Sequence, residues 1–202
     1  MFKNIILLFF TLTLVSCGEI IQPTLDTFKA EKDVFESGKS LISLPFDLHD
    51  LEEVTVDQNT LLIGVHGSNS PGYEWIYPLQ TLNDENNMVA FFRWDDEACP
   101  APSASSLLSF IEKKISDNPN LNKIILLGHS YGGLLVVAFA EAWEMDFPLQ
   151  IHSIAAPLAG MGIFTSICNY EVPNNFRDNI ELHQWRTIKE LDGAFSLSLI
   201  HI

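Results

Sequence analysis

From Leu61 onward the chain alternates between short apolar runs and longer segments with helical spacing. The runs are LLIGVHG (61–67), MVAFFRW (88–94), KIILLGHS (123–130), QIHSIAAP (150–157) and IELHQWRT (180–187). Strands that are apolar almost throughout are typical of a parallel sheet that is covered on both faces. The pattern therefore predicts an α/β fold, with a mostly parallel central sheet and helices on both faces.

Two of the intervening segments have clear helical patterns. In ASSLLSFIEKKISDN, Leu107, Ile111 and Ile115 recur every four residues, and the charged residues 112–114 are expected to face solvent. The segment GLLVVAFAEAWEM, which follows the third run, is apolar nearly all round. That composition is expected of a helix buried beside the sheet.

The start of the chain has the pattern of a secretory signal. The segment MFKNIILLFFTLTLVSCG carries Lys3, an apolar stretch over 5–15 and small residues before Cys17, and it is too short to span a bilayer as a stable helix. The stretch LVSC resembles the bacterial lipoprotein box, in which the cysteine is lipidated and becomes the mature N-terminus. We predict a signal peptide over residues 1–16 and lipidation at Cys17, with an ordinary cleaved signal as the alternative.

The region that follows, residues 17–58, is mixed and polar. It is expected to hold the lipidated N-terminus, a tether or irregular helix, and a first strand near SLISLPFDL. Gly18 is not the acidic residue that is often linked to retention in the inner membrane. We therefore expect the protein at the bacterial outer membrane.

Size and charge narrow the functional classes. The chain has 202 residues, of which 47% are hydrophobic, so one sizeable core and one domain are expected. With 11 Lys and Arg against 26 Asp and Glu, the formal charge is −15. This balance argues against nucleic acid as a partner and against electrostatic attraction to anionic lipid. Membrane attachment would have to come from acyl chains.

The cysteines and histidines give no metal signature. Cys99 and Cys168 lie in a chain expected outside the reducing cytosol, so they form a candidate disulfide, with two free thiols as the alternative. The sequence has no Cys-x-x-Cys and no His-Glu-x-x-His, and its six histidines are scattered. We expect no metal site.

The stretch LLGHSYGG (126–133) places Ser130 between two glycines, with a predicted strand before it and a predicted helix after it. Gly128 and Gly132 stand where side chains would block a sharp strand-to-helix turn, and such a turn exposes its serine as a nucleophile. The alternative is a serine that only caps the helix. His129 is not expected to be the base, since it points away from Ser130 on an extended approach to the turn.

With VHG (65–67), GHSYGG (128–133) and SIAAPLAGMG (153–162), the chain resembles the α/β-hydrolase superfamily, in particular its lipase-like and esterase-like members. The resemblance covers about 61–195. It implies a triad in the chain order Ser, acid, His, with Ser130 as nucleophile and no cofactor. It also implies an acyl-ester or lipid substrate. The predicted function is a lipid-anchored serine hydrolase, and the alternative is a non-catalytic lipoprotein that binds a hydrophobic or peptide ligand.

The resemblance also suggests the donors of an oxyanion hole. One is the backbone N–H of Tyr131, just after the nucleophile. The other is the residue that follows His66-Gly67, which here is Ser68. Gly67 permits close backbone approach. His66 is expected to orient this loop, because its place before the serine conflicts with the triad order.

The acid of the triad is assigned to Asp192, in the pair Asp-Gly after the last apolar run, with a plain turn aspartate as the alternative. Glu171 is the second candidate. Residues 95–97, which read Asp-Asp-Glu, precede the serine and are interpreted as a solvated loop. Three aromatic residues of the loop after the first run, Tyr73, Trp75 and Tyr77, could either line an acyl-binding cleft or pack in the core.

The catalytic histidine is expected to be absent from this chain. Only His201 follows Asp192, and nine extended residues span at most about 30 Å, which leaves no room for a further strand and a return to Ser130. His183 precedes the acid, within a predicted strand. The ending LSLIHI (197–202) matches a translation of a transposon end used as a sequencing adapter, so we predict an artefact there and an incomplete hydrolase core over 59–196. The alternative is a genuine short terminal strand.

Overall fold

The structure is a computed structural model that describes residues 22–160, 166–173 and 175–188. The elements of these residues are, in chain order, a 3-10 turn (Leu25–Thr27), α1 (Val34–Ile42), β1 (Asp47–Asp50), β2 (Thr60–Val65), α2 (Tyr73–Thr81), β3 (Asn87–Arg93), α3 (Pro100–Asp117), β4 (Lys123–His129), α4 (Tyr131–Glu141), β5 (Leu149–Ile154) and β6 (Ile180–Trp185).

The strands form one sheet in the order β1-β3-β2-β4-β5-β6. β1 runs antiparallel to β3 at one edge, and the other neighbours are parallel. The register pairs Val65 with Gly128 and Gly128 with Ser153, so β2, β4 and β5 end nearly level. Because carboxyl ends of parallel strands meet at one edge, the loops after these strands lie side by side.

Both faces of the sheet are covered by helices, because successive side chains of a strand point to opposite faces. Leu61 and Ile63 of β2 belong to a cluster that includes buried residues of α3 and α4. Leu62, between them, belongs to a second cluster with buried residues of α1 and α2. The predicted fold class, a mostly parallel sheet with helices on both faces, is confirmed.

The part of the 17–58 region that the structure describes is packed against the sheet. Leu25, Phe28 and Leu41 are buried in the same cluster as Leu62. The Leu25 N–H donates to the Leu51 carbonyl at 2.8 Å. Of the predicted alternatives, a tether or an irregular helix, residues 22–58 contain the helix α1 with the strand β1 after it, and each apolar side chain that is buried here stabilises the packed arrangement by about 1.5 to 3 kcal/mol.

One predicted surface residue is turned inward. Lys114 of α3 was expected to face solvent, but its ammonium group donates to both carboxylate oxygens of Asp50 on the edge strand β1. The lysine side chain remains only 21% exposed. The length of the lysine side chain allows its charged end to reach the Asp50 carboxylate from α3.

Four predicted features lie outside the residues that the structure describes. The signal peptide (1–16) and Cys17 lie outside the described residues, and so do Asp192 and the segment 197–202. Among the helices that the structure describes, none is both long and apolar enough to cross a bilayer.

Candidate active site

Ser130 is the single residue that connects β4, which ends at His129, to α4, which begins at Tyr131. Its backbone has φ 52° and ψ −117°, a conformation that residues with a side chain rarely adopt. The Ser130 N–H donates to the Ile154 carbonyl at 2.8 Å, and its carbonyl accepts from the Gly133 N–H at 2.9 Å. The hydroxyl makes no capping hydrogen bond to α4. The turn is therefore held by its backbone, which disfavours the helix-capping alternative.

The glycines around Ser130 allow this turn to pack. A Cβ on Gly128 would overlap the Gly132 carbonyl, and a Cβ on Gly132 would overlap the carbonyl oxygens of Val65 and His66. The start of α4 thus lies directly against the end of β2. The spacing of the glycines in GHSYGG is required by these backbone contacts.

The loop after β2 lies beside the serine. A Cβ built on Gly67 would be 3.0 Å from the Ser130 Cβ and 3.6 Å from its Oγ. Ser68, the predicted oxyanion donor, follows directly and is exposed. The structure thus brings together the two segments that the sequence analysis assigned to the nucleophile and to the oxyanion hole.

His66 is buried beneath this loop, and both of its ring nitrogens have hydrogen-bond partners. Its Nε2 lies 2.5 Å from Arg93 Nη1, and its Nδ1 lies 2.9 Å from the Gly67 carbonyl oxygen. Because a guanidinium group can only donate, Nε2 is the acceptor and Nδ1 carries the proton that is donated to Gly67. Burial lowers the pKa of His66 to about 4, so the ring is neutral near pH 7.

This contact also orients Ser68. The Gly67 carbonyl and the Ser68 N–H belong to one planar trans peptide, so they point in opposite directions. His66 holds the carbonyl, and the direction of the Ser68 N–H is thereby set. His66 therefore has the loop-orienting role expected from the sequence.

Asp96 contributes to the same loop, and the sequence analysis missed it. Its Oδ2 accepts from the Asn69 N–H at 2.6 Å, across 27 residues of sequence. Asn69 has a positive φ of 52°, and its side-chain amide donates to Ser68 Oγ at 3.2 Å. Residues 95–97 lie in a loop, as interpreted from the sequence, and Asp96 there is half-buried and accepts a backbone hydrogen bond.

Tyr131, the other predicted oxyanion residue, is the first residue of α4, and its side chain is buried. Its ring packs against Trp94 with centroids 5.2 Å apart, and its hydroxyl donates to the Ala98 carbonyl at 2.9 Å. Burial raises the pKa of Tyr131. The side chain thus ties the nucleophile turn to the loop between β3 and α3, while the backbone N–H belongs to the helix N-terminus, which favours negative charge.

Cys99 and Cys168 form a disulfide in the structure, with an S–S distance of 2.01 Å, so the alternative of two free thiols does not hold there. The bridge connects the N-cap of α3 to the segment after β5. The Cys168 sulfur lies 4.0 Å from the Tyr131 hydroxyl. The β3–α3 loop is therefore joined covalently to a second segment close to the nucleophile turn.

The aromatic residues after β2 divide between core and surface. Trp75 is 3% exposed and packs over Gly64 and Phe91, so it is a core residue. Tyr73 and Tyr77 are 40% and 67% exposed on α2. Only these two could line an acyl-binding surface.

The triad cannot be assembled from the described residues. Within them, no histidine bonds the Ser130 hydroxyl, and four of the five have other side-chain partners: His49 with Pro45, His66 with Gly67 and Arg93, His152 with Trp185, and His183 with Gln150. Asp192 and His201 lie outside these residues, and Glu171 is exposed. In the same part of the chain, no group of three or more metal-ligating side chains is found.

No protein-family model and no curated protein matches the chain. Solved structures show partial likeness. A lipase-esterase related protein from Clostridium acetobutylicum is 17% identical, with a TM-score of 0.42, over 54% of this chain and 46% of its own. A cutinase-like protein from a Cryptococcus species is 13% identical, with a TM-score of 0.45, over 63% and 76%.

A mutant of the rice cell wall degrading esterase LipA from Xanthomonas oryzae is 18% identical, with a TM-score of 0.36, over 50% of this chain and 34% of its own. The chain thus spans less than half of the first and third of these proteins. At such TM-scores the likenesses add nothing to the assignment of the fold, which rests on the sheet order and connections of this chain.

Proposed function

We propose that this protein is a serine hydrolase that cleaves carboxylic esters, with Ser130 as the nucleophile. The observation that supports this most directly is the conformation of Ser130: a strained turn holds its backbone, and its hydroxyl is not used to cap α4. Strain of this kind costs about 1 to 3 kcal/mol and persists where it serves a site. The glycine packing that maintains the turn also places Gly67 beside the hydroxyl.

In the proposed reaction, a histidine base removes the Ser130 proton, and Asp192 holds that histidine in the required tautomer. Ser130 Oγ bonds to the ester carbonyl carbon, and the carbonyl electrons move to the oxygen. The backbone N–H groups of Tyr131 and Ser68 donate to this oxyanion, and one such donor lowers the barrier by about 3 to 4 kcal/mol.

The tetrahedral intermediate collapses, and the alcohol leaves with the proton returned by the histidine. Water then attacks the acyl-serine, releases the carboxylic acid and regenerates the Ser130 hydroxyl. This sequence requires no cofactor. Acyl lipids and smaller acyl esters are both substrates of the proposed class.

We further propose that the protein is anchored in the bacterial cell envelope through acyl chains on Cys17, at the outer membrane. The signal-like segment before Cys17 supports this, and the charge of −15 disfavours attachment by electrostatic attraction to anionic lipid. The full-length wild-type protein should partition into detergent, and Cys17→Ala should release it or stop its processing. Wild-type protein recovered only from the aqueous phase would refute the anchor.

The test of the proposed function is reaction with a fluorophosphonate, which modifies activated serines. The full-length wild-type protein should be labelled at Ser130, as read by mass spectrometry of its peptides, and it should hydrolyse a short-chain activated ester. Ser130→Ala should lose labelling and at least about 1,000-fold in kcat, since a triad nucleophile is removed. The matched control is Ser105→Ala, which removes the hydroxyl of an exposed serine on α3.

Equal hydrolysis by the Ser130→Ala and Ser105→Ala variants would show that Ser130 is not the nucleophile. A folded wild-type protein that remains unlabelled would instead favour the non-catalytic alternative, a lipoprotein that binds a hydrophobic or peptide ligand.

A further inference from the structure

The loop that connects β3 to α3, residues 95–99, contacts each segment of the candidate site. The Asp96 carboxylate accepts from the Asn69 N–H, beside Ser68, at 2.6 Å. Two residues later, the Ala98 carbonyl accepts from the Tyr131 hydroxyl at 2.9 Å. Cys99 closes the loop with its disulfide. This loop therefore contacts Tyr131, one proposed oxyanion residue, and Asn69, the neighbour of the other, Ser68.

Asn69 is the point at which the loop after β2 turns. Its φ of 52° lies in the left-handed region, which asparagine adopts more readily than most residues with a side chain, and the Asp96 carboxylate holds its N–H in this turn. A carboxylate that accepts a backbone N–H supplies a charge-assisted hydrogen bond, which is about twice as strong as a neutral one. The His66 ring fixes the other side of Ser68 through the Gly67 carbonyl.

We propose that Asp96 is a positioning residue for ester hydrolysis: by holding the Asn69 N–H, it keeps the Ser68 N–H aimed at the oxyanion. This inference rests on the proposed function. It deepens that function by assigning a role to a residue on a third loop, which supplies neither the nucleophile nor an oxyanion donor. Asp96 acts through the loop and does not contact the substrate.

The test compares four full-length proteins: wild type, Asp96→Ala, Asp96→Asn and Glu97→Ala. Glu97 is the matched control, because it is the exposed next residue and its replacement removes the same charge. Asparagine keeps a carbonyl oxygen that can accept from Asn69 but lacks the charge. The measured quantities are kcat and KM for a short-chain ester, the unfolding free energy, and hydrogen exchange at the Asn69 amide.

Asp96→Ala should lose about 10- to 100-fold in kcat with KM changed less than about threefold, because a displaced donor affects the transition state more than the bound substrate. Asp96→Asn should stay within about threefold of wild type. Among the three variants, only Asp96→Ala should show faster hydrogen exchange at the Asn69 amide than the wild type. The unfolding free energies of the three variants should agree within about 1 kcal/mol.

Two results would overturn the inference while leaving Ser130 as the nucleophile. One is an Asp96→Ala variant that matches Glu97→Ala in kcat or in exchange of Asn69. The other is an Asp96→Asn variant that is as slow as Asp96→Ala although exchange at the Asn69 amide stays slow, which would show that the negative charge acts apart from this hydrogen bond. A wild-type protein that fluorophosphonate does not label would overturn the proposed function, and this inference with it.

Discussion

The turn after β4 and the loop after β2 meet at the same edge of the sheet, but backbone packing holds the first and side-chain hydrogen bonds hold the second. Around Ser130, carbonyl oxygens and glycines are in direct contact, with no space for a Cβ on Gly132. Around Ser68, the backbone is held by the His66 ring and the Asp96 carboxylate. Steric contact fixes a position regardless of pH, whereas hydrogen bonds from ionisable groups depend on protonation.

Adding one methyl group to each segment tests this difference most directly. Gly132→Ala places a Cβ inside the carbonyl oxygens of Val65 and His66, which are backbone atoms that cannot rotate away. The unfolding free energy should fall by on the order of 4 kcal/mol, and activity should be lost with the fold. Denaturant unfolding followed by circular dichroism measures the loss.

Gly67→Ala is the matched change in the second segment. Its Cβ meets the His129 carbonyl oxygen and the Ser130 Cβ at 3.0 Å, which small shifts can relieve. The unfolding free energy should fall by only about 1 kcal/mol. Activity should fall about 100-fold, because the methyl group lies 3.6 Å from the Ser130 hydroxyl. Equal losses of stability in the two variants would refute the distinction.

A smaller effect should come from His66 and should depend on pH. The buried ring has a pKa of about 4, whereas an unfolded chain has the ordinary value of about 6.5. Between these values the unfolded state binds the proton and the native state does not, so acidification favours unfolding. The contribution of His66 is fully present above about pH 6.5 and is lost as the pH falls toward 4.

The measurement is the unfolding free energy of wild type and of His66→Gln from pH 8 to pH 4. The advantage of the wild type over the variant should shrink by about 2 to 3 kcal/mol across this range. The contributions of the other titrating groups to the unfolding free energy cancel in this difference, because the two proteins share those groups. A difference that stays constant with pH would mean that His66 is not held neutral by the native structure.

The sequence was sufficient for the sheet and for the nucleophile turn, because both follow from local patterns. Each predicted apolar run became a strand within a few residues of its expected bounds. The turn at Ser130 is marked in the sequence by glycines two residues to either side, so its signal lies within six neighbouring positions although its contacts include the carbonyls of Val65 and His66. A pattern that spans so few residues can be recognised in a single sequence.

The packing of residues 22–58 was not predicted, because part of it does not depend on apolar side chains. Gly38 of α1 is buried where the helix backbone meets Gly72 and Tyr73 at the start of α2. In a sequence, small residues that allow two helices to pack closely cannot be distinguished from the small residues of a polar linker. Asp96 was missed for a related reason: its partner Asn69 is 27 residues away, and an acidic triplet in a loop looks the same whether or not one member accepts a backbone N–H.

If Ser130 is the nucleophile, as proposed, its conformation sets folding and catalysis in opposition at a single position. At φ 52° and ψ −117°, glycine would fit without the roughly 1 to 3 kcal/mol of strain that a side chain incurs there. Selection for thermal stability alone would therefore favour glycine at position 130, and the hydroxyl would be lost. The rest of the fold must therefore supply the stability that a serine gives up in this conformation.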